Sequence, residues 1–286
     1  MIQKKIQTQN NLVDFQNLEK SHLSVQINLD GLTYCIFDKD LVDVVQLTEY
    51  EFTNRAQTPE QLLEAVKMVY EQEPLLSRKF DSVNVSHKNN LSTIVPETLF
   101  DKQNKKDYLK YTVKVLETDQ IAVDLLEENE TNNVYIPFEN VNTFLAEKYG
   151  EFDFLHSSSI LVSSLLKYYK ETPGKLLFVN VAKHSFEIVF IEDNKLQFHN
   201  SFLYTTKEDF LYYILFTMEQ LFLDPETQRI IFLGAINKHS PLFEITYKYV
   251  RFINFLRVDN FSLSEDFYEA NPNIERHYYF ELLNQF

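Results

Sequence analysis

The chain has 286 residues, 44% of them hydrophobic and 24% charged, enough for one large or two medium cores and too apolar for a disordered chain. Its formal net charge of −15 repels nucleic acid and anionic lipid at long range, and no apolar run reaches the ~20 residues of a membrane helix. The single cysteine, Cys35, excludes an internal disulfide framework and a cysteine-based zinc site, and MIQKKIQTQNNLVDF lacks the apolar stretch of a secretory leader, so a cytoplasmic protein is expected.

Residues 1–20 read as a polar N-terminal segment. From there 23–29 alternates apolar and polar, Asp30-Gly31 turns, and 32–37 returns. Asp38-Lys39-Asp40 turns again into a third strand over 41–52. Thr58 then caps a helix with Pro59 at its first position and Gln61 three residues on, carrying Leu62, Val66, Val69 and Tyr70 at helical spacing as far as Pro74. A hairpin at 82–87 and 91–95 follows. Helical pieces come near 105–116 and 138–149, strands at 121–127 and 152–155, and a helix over 157–169. Lys170-Glu171-Thr172-Pro173-Gly174 marks the boundary.

The second half repeats the order. Strands at 176–181, 186–191 and 196–203 precede a helix opened by a Thr205–Glu208 capping box. A strand at 229–233, a turn at Gly234 and helices near 241–256 and 274–286 complete it. Strand, strand, acidic turn, strand and threonine-capped helix thus occur twice. Duplication is the preferred reading, giving an α/β chain of two similar lobes: 21–172, with a hairpin insertion near 80–95, and 173–286, each a mixed sheet with helices packed on it.

Two such units are the plan of the actin/hexokinase-like ATPase superfamily, in which RNase-H-like lobes flank a nucleotide cleft. More narrowly, LSVQINLDGLTYCIFD, LLFVNVAKHSFEIVFIEDNKLQFHNSF and the late HYYFELL resemble a Bacteroidetes family of unknown function, the domain of unknown function 3822, from about residue 20 to the end. The superfamily resemblance implies three nucleotide loops, and each is degenerate here. In the first, Leu29 stands where the aspartate of Asp-x-Gly belongs, leaving Asp30, Gly31 and Thr33. In the second, Asn180, Lys183 and His184 surround a turn with neither carboxylate nor glycine. In the third, Gly234 alone remains of a glycine pair. With four glycines against roughly 20 at an average ~7% usage, the chain has few places to cradle phosphate.

Other chemistry is thin. No phosphate-loop, dinucleotide or nucleophile-elbow motif occurs, and the seven histidines show no zinc-ligand spacing. His156 before Ser157, Ser158 and Ser159 reads as a helix start with the serines as caps. Asp30, Asp38 and Asp124 form an unsupported two-metal set. Cys35 reads as a buried small hydrophobe, and Lys102, Lys105, Lys106, Lys110 and Lys114 as a solvated helix face. Tyr247, Tyr249, Tyr278 and Tyr279 are the partner-surface candidates, with a core role as the competing reading. No catalytic residue, cofactor or metal is expected. The functional expectation is a non-catalytic actin-like scaffold or adaptor that binds another protein; the alternative is a divergent nucleotide-binding protein using the inter-lobe cleft.

Overall fold

The computed structural model describes residues 2–9, 15, 18–110, 113–257, 263 and 265–285. Strand β1 (Ile2–Gln9) precedes an antiparallel meander of β2 (Ser21–Asn28), β3 (Gly31–Asp38) and β4 (Asp43–Phe52). The alternation of β3 sends Leu32, Tyr34 and Ile36 to one face and Cys35 to the other, and both faces are covered. Helix α1 (Pro59–Gln72) starts at Thr58, whose side chain accepts from the Gln61 amide, and lays Leu62, Val66 and Val69 on the first face. Next come β5 (Ser82–Lys88), β6 (Ser92–Pro96), α2 (Lys105–Leu109), β7 (Ala122–Leu126), β8 (Thr131–Tyr135), α3 (Glu139–Tyr149), β9 (Asp153–His156) and α4 (Ser157–Tyr168).

The first sheet runs β1-β4-β3-β2-β5-β9. Two expectations fail in it. The polar lead-in is partly the edge strand β1, paired antiparallel with β4; Ile2 and Ile6 pack onto opposite cores of the sheet, which suffices for a segment otherwise polar. The hairpin expected at 82–95 does not form. β5 is flanked by parallel β2 and β9, while β6 joins β8 and β7 in a separate three-stranded sheet. Val83, Val85, Ser86 and His87 are buried, the pattern of a central strand with both edges paired. Asn89, which reads as part of a turn, bends the chain out of the sheet by accepting from the Leu91 amide at 2.8 Å.

The second sheet is built from β10 (Lys175–Val181), β11 (Ser185–Glu192), β12 (Lys195–Leu203), β13 (Arg229–Gly234) and β14 (Phe252–Phe255), in the order β12-β11-β10-β13-β14. Order and sense match β4-β3-β2-β5-β9: an antiparallel meander, then two parallel strands. This is a mixed α/β chain of two lobes. Helix α5 (Lys207–Gln220) is capped one residue later than expected, by a Thr206–Asp209 box. It covers one face of the second sheet with α6 (Pro241–Tyr247); α6 is shorter than the helix expected over 241–256 because β14 takes up its second half. Residues 111–112, inside the helix expected near 105–116, lie outside the described residues; α2 ends at Leu109.

Helix α4 lies between the sheets. Leu161, Leu165 and Leu166 pack against Phe178, Val189 and Ile231 of the second sheet, and the helix also borders β5 and β9 of the first. The chain end departs from the expected boundary of a 173–286 lobe. In the segment carrying α7 (Glu265–Ala270) and α8 (Phe280–Leu283), Leu263, Phe267, Ile274, Leu282 and Leu283 bury against Cys35, Val44 and Leu47 of the first sheet. Phe280 meanwhile joins the α4 cluster. The apolar spacing there is served by a return across the molecule rather than by the long helix expected over 274–286.

Candidate functional site

Two hairpin tips face each other between the lobes, Asp30-Gly31 from the first sheet and 182–184 from the second. Lys183 forms an ion pair with Glu51, which also pairs with Lys5 at 2.9 Å; the two lysines hold the Glu51 carboxyl below the usual range. His184 Nε2 stands 3.8 Å from Asp30 Oδ1. Beneath the tips, Asn28, Asp30, Arg55, Lys88, Lys183 and Glu187 are among the residues lining a cavity of about 70 Å³.

The floor is charged and paired within the chain. Alternation along β11 puts Glu187 on the same face as Val189 and Ile191, directly under the first turn of α4. Glu187, 6% exposed, accepts from the Ser158 hydroxyl, from His199 Nε2 at 3.1 Å and from Asn180 Nδ2 at 3.1 Å. Burial opposes its charge, but His199, Lys88 and Ser158 outweigh burial and hold the carboxyl well below the usual range. Lys88, ending β5, pairs with Glu281 of α8. Burial pushes the Glu281 carboxyl up, with Lys88 opposing and Glu187 adding to it. The cations Lys183 and Lys88, which could meet a phosphate, are both neutralised by carboxylates of the chain itself.

The residues of the three expected loops have structural duties. A side chain at Gly31 would place its Cβ 2.3 Å from the Tyr50 carbonyl oxygen, so the glycine serves the close approach of β4. Gly234, at φ +76°, would put a Cβ 2.2 Å from the Val181 carbonyl oxygen; it closes the contact between the ends of β13 and β10. Thr33 lies within β3, half-buried, outside the residues that line the cavity. Asn180 is spent on Glu187.

The serines at α4 are not caps. His156 is the cap, its Nδ1 accepting from the Ser158 amide at 3.1 Å. Ser158 and Ser159 donate to Glu187 and Asp124 instead, the latter at 2.5 Å. Asp124 also accepts from the Tyr135 hydroxyl at 3.0 Å and the His156 amide at 2.8 Å. Burial pushes it up to about 6 against those three donors. The structure does not bring Asp30, Asp38 and Asp124 together: Asp38 caps its own turn through the Asp40 and Leu41 amides, both at 2.9 Å. Among the described residues, no three His, Cys, Asp or Glu side chains converge on a metal position. Cys35 is buried as expected, and burial pushes its thiol up to about 12.

The tyrosine candidates divide. Tyr247 and Tyr249 are 63% and 56% exposed, whereas Tyr278 and Tyr279 are half-buried between lobe and tail. Tyr279 donates to Glu49 at 2.6 Å, and Tyr278 accepts from Asn237 at 3.1 Å. Lys88, Glu187, His199 and Glu281 are not among the residues the sequence pattern singles out. Glu187 carries one signal: it interrupts the apolar run SFEIVFI, and a buried carboxylate requires partners.

A family model described as a protein of unknown function (DUF3822) matches residues 9–253. Among solved structures, a Bacteroides thetaiotaomicron protein with actin-like ATPase fold and unknown function is similar at 22% identity and a TM-score of 0.77, over 85% of this chain and 93% of that one. The PilM–PilN type IV pilus biogenesis complex is similar at 12% identity and a TM-score of 0.57, over 92% of this chain and 97% of that one. Identities this low carry the fold alone. No curated protein matches. With most of its length inside the family model, the chain belongs to the DUF3822 family of proteins of unknown function, and its fold is that of the actin-like ATPases.

Proposed function

We propose that this protein is a non-catalytic actin-like scaffold or adaptor that binds another protein. One observation carries the reading: the cleft between the lobes is filled by the chain's own ion pairs. About 70 Å³ is left there, against the roughly 300–1,000 Å³ of a small-molecule site. Opening it for a nucleotide would separate Lys183 from Glu51 and expose the buried Glu187 network. The reading takes 21–172 and 173–286 as copies of one unit, with the tail of the second recruited to cover the first. A similar fold occurs in a protein–protein complex, PilM with PilN, which is the kind of use proposed here. The partner is a protein rather than nucleic acid, given the net charge of −15. Among the described residues no helix is long and apolar enough to cross a membrane.

The test is a thermal scan with and without magnesium ATP. A ligand binding only the folded state at micromolar affinity, supplied at millimolar concentration, adds about 4 kcal/mol, which is a rise of several degrees in Tm. The expected result is no shift. A clear magnesium-dependent rise would overturn the reading in favour of a divergent nucleotide-binding protein that opens the same cleft.

A further inference from the structure

The first lobe carries a second concavity, at the opposite end of β5 and β9 from the cleft. Its volume is about 790 Å³, and its lining includes Glu139, Asn142, Glu151, Phe152, Asp153 and Phe154. Strand β9 ends the first sheet: β5 pairs with one side of it, and among the described residues no strand pairs with the other. The His156 amide is already committed to Asp124, so the open stretch of the edge lies before it, along 152–155. Phe152 and Phe154 lie half-buried beside that edge, their rings 6.3 Å apart.

The charges point one way. Glu139, Glu151 and Asp153 are exposed, and among the described residues no lysine or arginine lines the groove. A fourth carboxylate, Asp81, is taken by Lys39. The carboxylates do not converge as metal ligands would; they are spread along the groove, which suits a chain of positive charges better than one ion.

We propose that this groove docks an extended, lysine- or arginine-bearing segment of a partner protein, laid along β9 as an added strand. Main-chain bonds to the edge would supply affinity. Side chains alternating along the strand would meet the phenylalanines and Glu139 on one face and Glu151 and Asp153 on the other. The proposal rests on the adaptor reading and gives it a site and a ligand chemistry.

The experiment is fluorescence anisotropy of the full chain with three labelled octapeptides: alternating Lys–Val, alternating Glu–Val, and Lys–Val N-methylated at every residue, which leaves no main-chain donor for the edge. The Lys–Val peptide should bind. Its affinity should fall at least tenfold with E151K/D153K, whose sites are exposed, while Tm stays unchanged; the other peptides should not bind. Equal binding of the N-methylated peptide, or of Lys–Val by E151K/D153K, would mean diffuse attraction to an acidic protein and would sink the proposal. Failure of all three peptides would sink it too, leaving Glu151 and Asp153 as charges that merely blunt an edge strand. A native partner recovered equally by wild type and E151K/D153K would leave the adaptor reading standing and remove only this groove.

Discussion

His87 and His156 are register partners at the ends of β5 and β9, and both are fully buried. Burial holds them neutral, down to about 3 and about 4, each also disfavoured by a neighbouring histidine. Unfolded histidines titrate near ~6.5. Above that pH neither state binds the proton and the packing is at full strength. As pH falls from ~6.5 toward 4, the unfolded chain takes up protons the folded one refuses, and stability drops by about 1.4 kcal/mol per pH unit for each histidine. Asp124 acts oppositely. Its folded value of about 6 lies above the ~3.9 of the unfolded chain, so its contribution is present at low pH and lost as pH rises through 6, offsetting one histidine. Urea midpoints should therefore fall between pH 6.5 and 4.5. In H87N the slope of stability against pH should become shallower by about 1.4 kcal/mol per unit, whatever the substitution costs at pH 7. An unchanged slope would show that His87 is not held neutral.

At the scale of elements, α8 is joined to β5 through Lys88 and Glu281, with Gln285 donating to the Ser86 hydroxyl at 2.7 Å and its carbonyl accepting from Asn84. Removing one member of a buried pair strands the other charge, at a cost of about 3–5 kcal/mol. Here the penalty is sharpened by Glu187, which also relies on Lys88. K88M should lose stability in that range, and K88M/E281L should recover most of it, since apolar replacement of both partners is often neutral or better. Denaturant midpoints of the two variants decide the matter; a double variant no better than K88M would mean that Glu281 is satisfied without Lys88. This joint was not legible in the sequence. Lys88 closes a strand signal and Glu281 sits in a helical one, and neither local period says that the two elements meet 193 positions apart.

The whole molecule is held together at three levels: α4 between the sheets, the tail segment bearing α7 and α8, and the hairpin tips. They differ in worth. The Lys183–Glu51 pair at the tips is solvated, and exposed pairs contribute about 0–1 kcal/mol. Phe280, by contrast, is buried among α4 and the second sheet while its neighbours Leu282 and Leu283 bury against the first. F280A should cost about 3–5 kcal/mol and K183A under about 1 kcal/mol, both with a single cooperative unfolding transition. Two separated transitions in the wild-type scan would mean that the lobes unfold independently and that the tail does not couple them.

Local signals are what the sequence by itself determined. Strand-length apolar runs separated by turn signals across 23–52 and 176–203 specified two meanders, because each run and each turn is set by a few neighbouring residues. Asp30-Gly31 specified a turn, and Thr58 with Pro59 a helix start, because each satisfies a backbone requirement within a few residues. That Leu29 stands where a phosphate-loop aspartate was looked for was readable for the same reason, since it holds in any fold. Tertiary structure alone decided the rest. It made β5 a central strand instead of half a hairpin, since pairing on both edges depends on strands about 60 positions away on one side and about 70 on the other. It sorted exposed Tyr247 and Tyr249 from half-buried Tyr278 and Tyr279, because aromatic spacing is the same whether the facing surface is water or the other lobe. It also closed the cleft, because a carboxylate and a cation distant in sequence reveal their pairing only when packing brings them within reach.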